Sequence, residues 1–391
     1  MTWTRSNSVG QGAGSAPAAL ARRAVRWGAA GVATAAAVAT GLGGVTAASA
    51  ATAISFPVPC SVTALNAALA LSPSNTILVL KPGCFYVTGS ALSNINRNLT
   101  IVGSNDTIRE TGVHTILHIN HAQVGISQLT FTGGDGSGSE PGAIHNVGGT
   151  LSLTSTTFSD NDGGYGGAIQ NSSGGSLTIS SSTFADNDAS TIRGGGAIAD
   201  LNSSTTTVTG TTFFDNEGGN GGAIYNYSGI LTFPTSTAQS TFRDNTADGG
   251  GVFGNGGAIA NRSGQTNVDN ANFVGNSANN NGGALYNVGG VSTISNSGFS
   301  GNRADNGGAI YTSTSLNLVG DNISGNRASL RGGGIYVRNG HTTLSQNTLV
   351  VGNFAGITGG GIYRQSGTVS FTTGAAIGIN FPNNCTGLIC V

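Results

Sequence analysis

Nine copies of one short motif restrict what this chain can fold into more than any other feature. PGAIHN, GGAIQN, GGAIAD, GGAIYN, GGAIAN, GGALYN, GGAIYT, GGGIYV and GGGIYR place their small third residue at Ala143, Ala168, Ala197, Ala223, Ala258, Ala284, Ala309, Gly334 and Gly361. The intervals are 25, 29, 26, 35, 26, 25, 25 and 27 residues. A second motif keeps step with the first: FSDN from Phe158, FADN from Phe184, FFDN from Phe213, FRDN from Phe242, FVGN from Phe273, FSGN from Phe299, ISGN from Ile323 and VVGN from Val350. Two motifs sharing one period of this length define a stacked structural repeat.

Between the motifs lie short runs that alternate apolar and polar residues, such as Leu151 to Leu153, Leu177 to Ile179 and Leu316 to Leu318. Alternation with β-branched residues is a strand signal, and no repeat segment holds a helical period over three turns. Each unit then holds about three short strands separated by Gly, Asn and Ser turns. A flat meander of so many strands would expose long edges, whereas coiling each unit once and stacking it on the next buries one face of every strand. The expected fold is all-β: a single-stranded right-handed parallel β-helix, a solenoid of about nine to eleven rungs with a short N-terminal capping helix. In it the Ile or Leu of GGAI and the Phe of FxxN point inward, and the glycines, 66 of 391 residues, take turn positions. The recurrent Asn (Asn161, Asn187, Asn216, Asn245, Asn276, Asn302, Asn326, Asn353) is expected to form an internal ladder.

Residues 1–53 differ in kind. Arg5, Arg22, Arg23 and Arg26 occur without any acid, ahead of a Gly- and Ala-rich apolar run and small residues around Ala50 and Ala53. This is the pattern of an export signal that is removed, with Sec and twin-arginine routes both open. From residue 54 onward 11 basic and 16 acidic residues remain, near −5, a balance that argues against a nucleic-acid partner. No later run is apolar enough to span a bilayer as a helix. Cys60 with Cys84, and Cys385 with Cys390, read as two local disulfides stapling the two ends of an exported chain. Residues 54–130 form a cap and first irregular rungs. SVTALNAALAL is the one helix-compatible run, with Ser61 as N-cap and Leu65, Ala68, Leu69 and Leu71 near one face. Residues 131–391 form the repeat helix, within the same domain.

The paired GGA[ILG] and FxxN motifs over roughly residues 131–365 resemble the repeats of the chlamydial polymorphic membrane proteins and related bacterial β-helix surface proteins. TILVLKPGCFYV followed by NLTIVGS resembles the opening of pectate-lyase-like β-helices. The resemblance implies a right-handed β-helix at the cell surface and leaves function open, since the same coil carries adhesins, lyases, hydrolases and esterases. Polymorphic membrane proteins end in an outer-membrane barrel, whereas this chain reads CTGLICV across its last Cys pair, so a released or wall-associated extracellular protein is expected.

Catalytic patterns are lacking. A lyase needs a base beside a carboxylate-held Ca²⁺, and beyond the leader the chain has one lysine, Lys81, in a Pro-Gly turn. Neither the paired-Asp pattern of polygalacturonases nor the Gln, Asp and Arg pattern of pectin esterases occurs. His114, His118 and His121 read as surface residues. Two repeated features remain. Asp160, Asp162, Asp186, Asp188, Asp215, Glu217 and Asp244 recur in four successive rungs, in a stretch (131–250) holding 11 acids and 2 bases. They form either a Ca²⁺ ladder or an acidic solubilising stripe, and the second is preferred because no single loop supplies six oxygens. Tyr286, Tyr311, Tyr336 and Tyr363 follow the inward aliphatic and turn outward in a row, with Arg303 and Arg327 in step with each other. Tyr beside Arg would suit a glycan, while the plainer account is that Tyr suits an exposed strand. The expected protein is a monomeric, adhesin-like or glycan-binding surface without catalysis or a required cofactor. A polysaccharide lyase or hydrolase is the alternative, and a structural wall or matrix protein the third reading.

Overall fold

Phe158, Phe184, Phe213, Phe242, Phe273 and Phe299 are each one period apart and each wholly buried, which fixes how the chain is wound. The computed structural model describes residues 54–190 and 193–390; the expected leader at 1–53 lies outside the described residues. From 54 onward each period makes one coil with three faces. In the coil that starts at the first GGA-type motif, Ile144–Val147 lies on the third face. The chain turns at Gly148 and Gly149 and runs along the first face as Thr150–Thr154 and Thr157–Ser159. It bends at Asn161 onto the two-residue strand Asp162–Gly163 of the second face, and a loop returns it to Ile169–Ser172, directly above its start.

All neighbouring coils pair in parallel, giving sheets of 23, 8 and 11 strands. The parallel β-solenoid has about 13 turns. The turns beyond the nine to eleven expected lie at the ends, where strands such as Ser55–Val58, Thr76–Leu80 and Thr368–Phe371 pair in the ladder without carrying either motif. The ladder passes from these irregular coils into the repeats without interruption, Gln123–Thr132 pairing with Thr150–Thr154. The helix Val62–Leu71 is the one expected, with the Ala64 amide donating to Ser61 Oγ at 3.4 Å and Leu65, Ala68 and Leu69 buried over the first strands. Leu71 is 81% exposed, because its position falls off that face. Cys60–Cys84 and Cys385–Cys390 are both bonded, as expected.

Three inner stacks hold the coils together. From Phe131 to Phe299 seven rings lie face over face, with centroids 4.6–5.1 Å apart and planes within 10°. Beside them the corner asparagines form the expected ladder. Asn245, for example, donates from Nδ2 to Asn276 Oδ1 (2.9 Å) and to the Phe213 carbonyl (3.1 Å), while its own Oδ1 accepts from both the Nδ2 and the backbone amide of Asn216. A second ladder runs inside the third face, where Asn146 Nδ2 donates to Asn171 Oδ1 at 2.8 Å, and Asn226 and Asn261 each donate to the next Asn at 3.0 and 2.9 Å. A buried amide that satisfies backbone and neighbour together avoids a penalty of roughly 1–3 kcal/mol per orphaned group.

The glycines of GGA are required by proximity. A Cβ on Gly167 would lie 2.0 Å from the Gly196 carbonyl oxygen, and one on Gly222 would lie 2.1 Å from that of Gly257. Asn245→Ala is expected to strand the Asn216 donors and the Phe213 carbonyl at once, lowering stability by about 3 kcal/mol or more. Asn279→Ala, at an exposed position, should change it by about 0.5 kcal/mol or less. Urea titrations followed by circular dichroism of the two variants check this, and equal midpoints would refute a stabilising role for the ladder.

Candidate functional site

On the third face each strand turns one side chain outward between its inward aliphatic and its inward Asn or equivalent, and parallel register lines these up from coil to coil. At one end the row is Tyr286, Tyr311, Tyr336 and Tyr363, as the sequence suggested. Their rings stack at 5.3, 5.0 and 5.0 Å. A coil spacing of about 4.8 Å leaves no room between successive rings, so stacking covers the faces that a sugar would use. Tyr311 and Tyr336 are only 6% and 7% exposed, and Tyr336 Oη donates to Gln365 Oε1 at 2.6 Å. Burial raises the pKa of Tyr286, Tyr311 and Tyr336. The outward row therefore offers a glycan ring edges and not open faces. Arg303 and Arg327 are in register with each other, but on the second face, with Arg327 lying 4.4 Å from the Phe354 ring centre.

The acidic stripe has a backbone origin. Asp160, Asp186, Asp215 and Asp244 adopt φ of 54, 55, 51 and 56°, and the same corner in later coils is Gly275, Gly301, Gly325 and Gly352 at 66–69°. This is the left-handed region, which glycine takes freely and Asp tolerates. Asp162, Asp188 and Glu217 are in register on the second face. Like charges from Asp186 and Asp244 add to burial in raising the pKa of Asp215. Among the described residues, no three of these acids bring ligand oxygens within 4.8 Å of one another.

Further along the third-face row the tyrosines give way. Ala260 follows Tyr225 on one side and Ala199 precedes it on the other. The space above Ala199 is a cavity of about 250 Å³ lined by Tyr165, Gln170, Arg193, Leu201, Asn202, Tyr225 and Tyr227. Tyr225 and Tyr227 lie 6.1 Å apart and nearly coplanar in orientation, at 17°. Burial pushes the Tyr225 phenol up to about 12, against the opposing pull of Arg262 and Arg193. Gln170 is 8% exposed, and its Oε1 is buried with no hydrogen-bond partner. A larger cavity of about 340 Å³, lined on the first face by Asn75, Thr100, Gln123 and neighbours, contains no titratable group.

The pocket was not read from the sequence, although the repeat intervals carry its signal. The two longest, 29 and 35 residues, bracket it. Their extra residues include Arg193 and Phe253, whose ring centre lies 5.9 Å from the Arg193 guanidinium. One coil from Gln170 stands a second cluster: Glu140 Oε2 lies 2.8 Å from His145 Nδ1 and 3.3 Å from His118 Nε2. Burial lowers the His145 pKa, while Glu140 pulls it upward. Of the three histidines grouped in the sequence, His118 joins this cluster, whereas His114 approaches Glu110 at 3.7 Å.

Residues 299–313 match the Chlamydia polymorphic membrane protein repeat. That span contains both motifs, FSGN from Phe299 and GGAI ending at Ile310. The chain is also similar to tailspike protein 3 of bacteriophage CBA120, at 12% identity and a TM-score of 0.31, over 84% of this chain; it spans about 59% of the length of that protein. No curated protein matches the chain.

Beneath the pocket, between Ala199 and the pocket residue Leu201, Asp200 takes a position that is Asn in the coils on either side. Its Oδ1 accepts from Asn171 Nδ2 at 3.0 Å, but its Oδ2 is buried without a partner. Burial raises its pKa to about 7, and that of the buried Asp321 likewise to about 7. A carboxyl that holds its proton more tightly folded than unfolded stabilises most below about pH 4, the unfolded value. That contribution falls as pH rises towards about 7 and is constant above it. The interval caps the effect of each group at about 4 kcal/mol. Asp200→Asn, which restores a donor towards Asn226, is expected to raise the melting temperature at pH 8. It should also narrow the gap between melting temperatures at pH 5 and pH 8. An unchanged gap would show that Asp200 does not carry the pH dependence.

Proposed function

We propose that this protein is an extracytoplasmic β-helix that binds a saccharide without catalysis, in the pocket between Tyr165, Tyr225 and Tyr227. Two disulfides at the ends of the solenoid and the repeat shared with polymorphic membrane proteins support the compartment. The observation that carries the ligand class is the lining, which brings tyrosine rings, the Gln170 and Asn202 amides and Arg193 to one cavity. The exposed Tyr227 ring suits the C–H face of a sugar, the amides of the wall suit its hydroxyls, and Arg193 at the rim favours a sugar bearing a carboxylate or sulfate. A volume of about 250 Å³ is slightly below the roughly 300–1,000 Å³ of drug-sized sites and suits one terminal sugar unit.

The rival reading, a polysaccharide lyase or hydrolase, needs a base beside a carboxylate-held Ca²⁺ or a facing pair of carboxylates at the sugar, and among the described residues no carboxylate lines this cavity. The test is a glycan array followed by calorimetry on the hits. Tyr227→Ala and Gln170→Leu are expected to weaken binding at least tenfold, Arg193→Ala to weaken acidic ligands selectively, and Tyr363→Ala to leave binding unchanged. Binding that is indifferent to both Tyr227→Ala and Gln170→Leu removes the pocket from consideration. New reducing or unsaturated ends released from polyuronides would replace binding with catalysis.

A further inference from the structure

The His118, Glu140 and His145 cluster is independent of that pocket reading. His118 lies on Leu117–Asn120 and His145 on Ile144–Val147, paired in parallel register one coil apart. Their ring centres are 5.9 Å apart and the rings are tilted by 51°. Glu140 comes from a different part of the coil, the loop returning from the second face to the third. The Gly164 amide donates to the Glu140 carbonyl at 2.7 Å, and Thr115 Oγ1 donates to the Pro141 carbonyl at 2.6 Å, so adjacent coils hold the loop from both sides. The result is one carboxylate oxygen facing two imidazole nitrogens, on a surface where all three side chains remain partly open to solvent.

We infer that His118 Nε2, His145 Nδ1 and Glu140 Oε2 form a binding site for a divalent ion of the zinc class. One ligand atom from each of the three residues lies within 4.8 Å of the other two. Tetrahedral bonds of about 2.0–2.1 Å to nitrogen and oxygen put ligand atoms roughly 3.3 Å apart. The two Glu140 distances, 2.8 and 3.3 Å, are already near that value, and the His118 to His145 separation needs to close by at most about 1.5 Å through side-chain rotation. Imidazole nitrogen with carboxylate oxygen selects zinc and its first-row neighbours over calcium and magnesium, which take all-oxygen shells.

Support behind the ligands is also present. His145 Nε2 lies 3.2 Å from Ser172 Oγ, a partner that fixes the ring and accepts a hydrogen bond from Nε2–H once Nδ1 is ligated. Three protein ligands leave a fourth position for water or an oxygen of a bound ligand. The surrounding stretch 131–250, with 11 acids against 2 bases, adds a long-range attraction for a cation. The alternative is a metal-free hydrogen-bond cluster, and metal binding separates the two.

The experiment uses tag-free chain, dialysed against chelator and titrated by calorimetry with Zn²⁺ and, separately, with Ca²⁺. One Zn²⁺ per chain with a dissociation constant in the micromolar range or below is expected, together with no Ca²⁺ binding at this cluster. His145→Ala should weaken Zn²⁺ at least 100-fold, Glu140→Gln at least tenfold, and Ser172→Ala on the order of tenfold. His341→Ala, at a distant position, should leave it unchanged. Co²⁺ substitution should give the intense visible absorption of a tetrahedral site, lost in His145→Ala. Circular dichroism verifies that the variants keep the β-helix, and Glu140→Gln, at a half-open side chain, serves should His145→Ala fail to fold. Binding well below one ion per chain, or full-strength binding to Glu140→Gln and to a folded His145→Ala, overturns the inference.

Discussion

The hydrogen bond from one corner asparagine to the next is the interaction on which this solenoid depends. A coil that bends sharply inside its own core turns backbone amides and carbonyls away from water and from the strand ladder, and each would be costly unpaired. The asparagine carries a donor and an acceptor on one short side chain. Its oxygen takes the amide and Nδ2 of the coil on one side, and its Nδ2 reaches both a Phe carbonyl of that same coil and the Asn oxygen of the coil on the other. The bend and the coil spacing are therefore fixed by the same bonds. Phenylalanine rings at the adjacent position then meet at about 4.6–5.1 Å with no further adjustment.

What could be read from residue order was whatever repeats. Glycine pairs, inward aliphatics, stacked Phe and the first asparagine ladder each occupy a fixed offset in the period, so periodicity alone placed them. The second ladder was equally periodic, in the final Asn of GGAIQN, GGAIYN and GGALYN, but a motif beginning with glycine draws attention to its turn. Exposure was the weaker inference. Alternation correctly turned Tyr286, Tyr311, Tyr336 and Tyr363 outward, yet outward is not open when the same ring stands 5 Å above and below. The acids at Asp160, Asp186, Asp215 and Asp244, read as a solubilising stripe in preference to a Ca²⁺ ladder, occupy a left-handed corner that glycine fills in later coils.

The two candidate sites were hidden for a common reason. His118 and His145 are a coil apart, and Glu140 joins them from a loop. Arg193 meets Tyr225 and Tyr227 through the residues that make one interval 29 long. Stacking converts a separation of 25 to 30 residues into adjacency, and the outward partner at each level is set by loop length, which the repeat does not constrain. Asp200 belongs to the same group of exceptions, as an acid in an otherwise neutral asparagine column next to the pocket.

The glycine corner has a consequence for how such a molecule can diversify. Where an added Cβ would sit 2.0 to 2.4 Å from the carbonyl of the following coil, as at Gly167, Gly222 and Gly333, neither a side chain nor an inserted residue fits. Extra length enters mostly in the stretch just before that corner, the source of Glu140, Arg193 and Phe253, and once on the first face, between Phe233 and Ser240. Surface chemistry can therefore change through loops such as these while the stacked corners stay as they are, as different keys hang from the same rail.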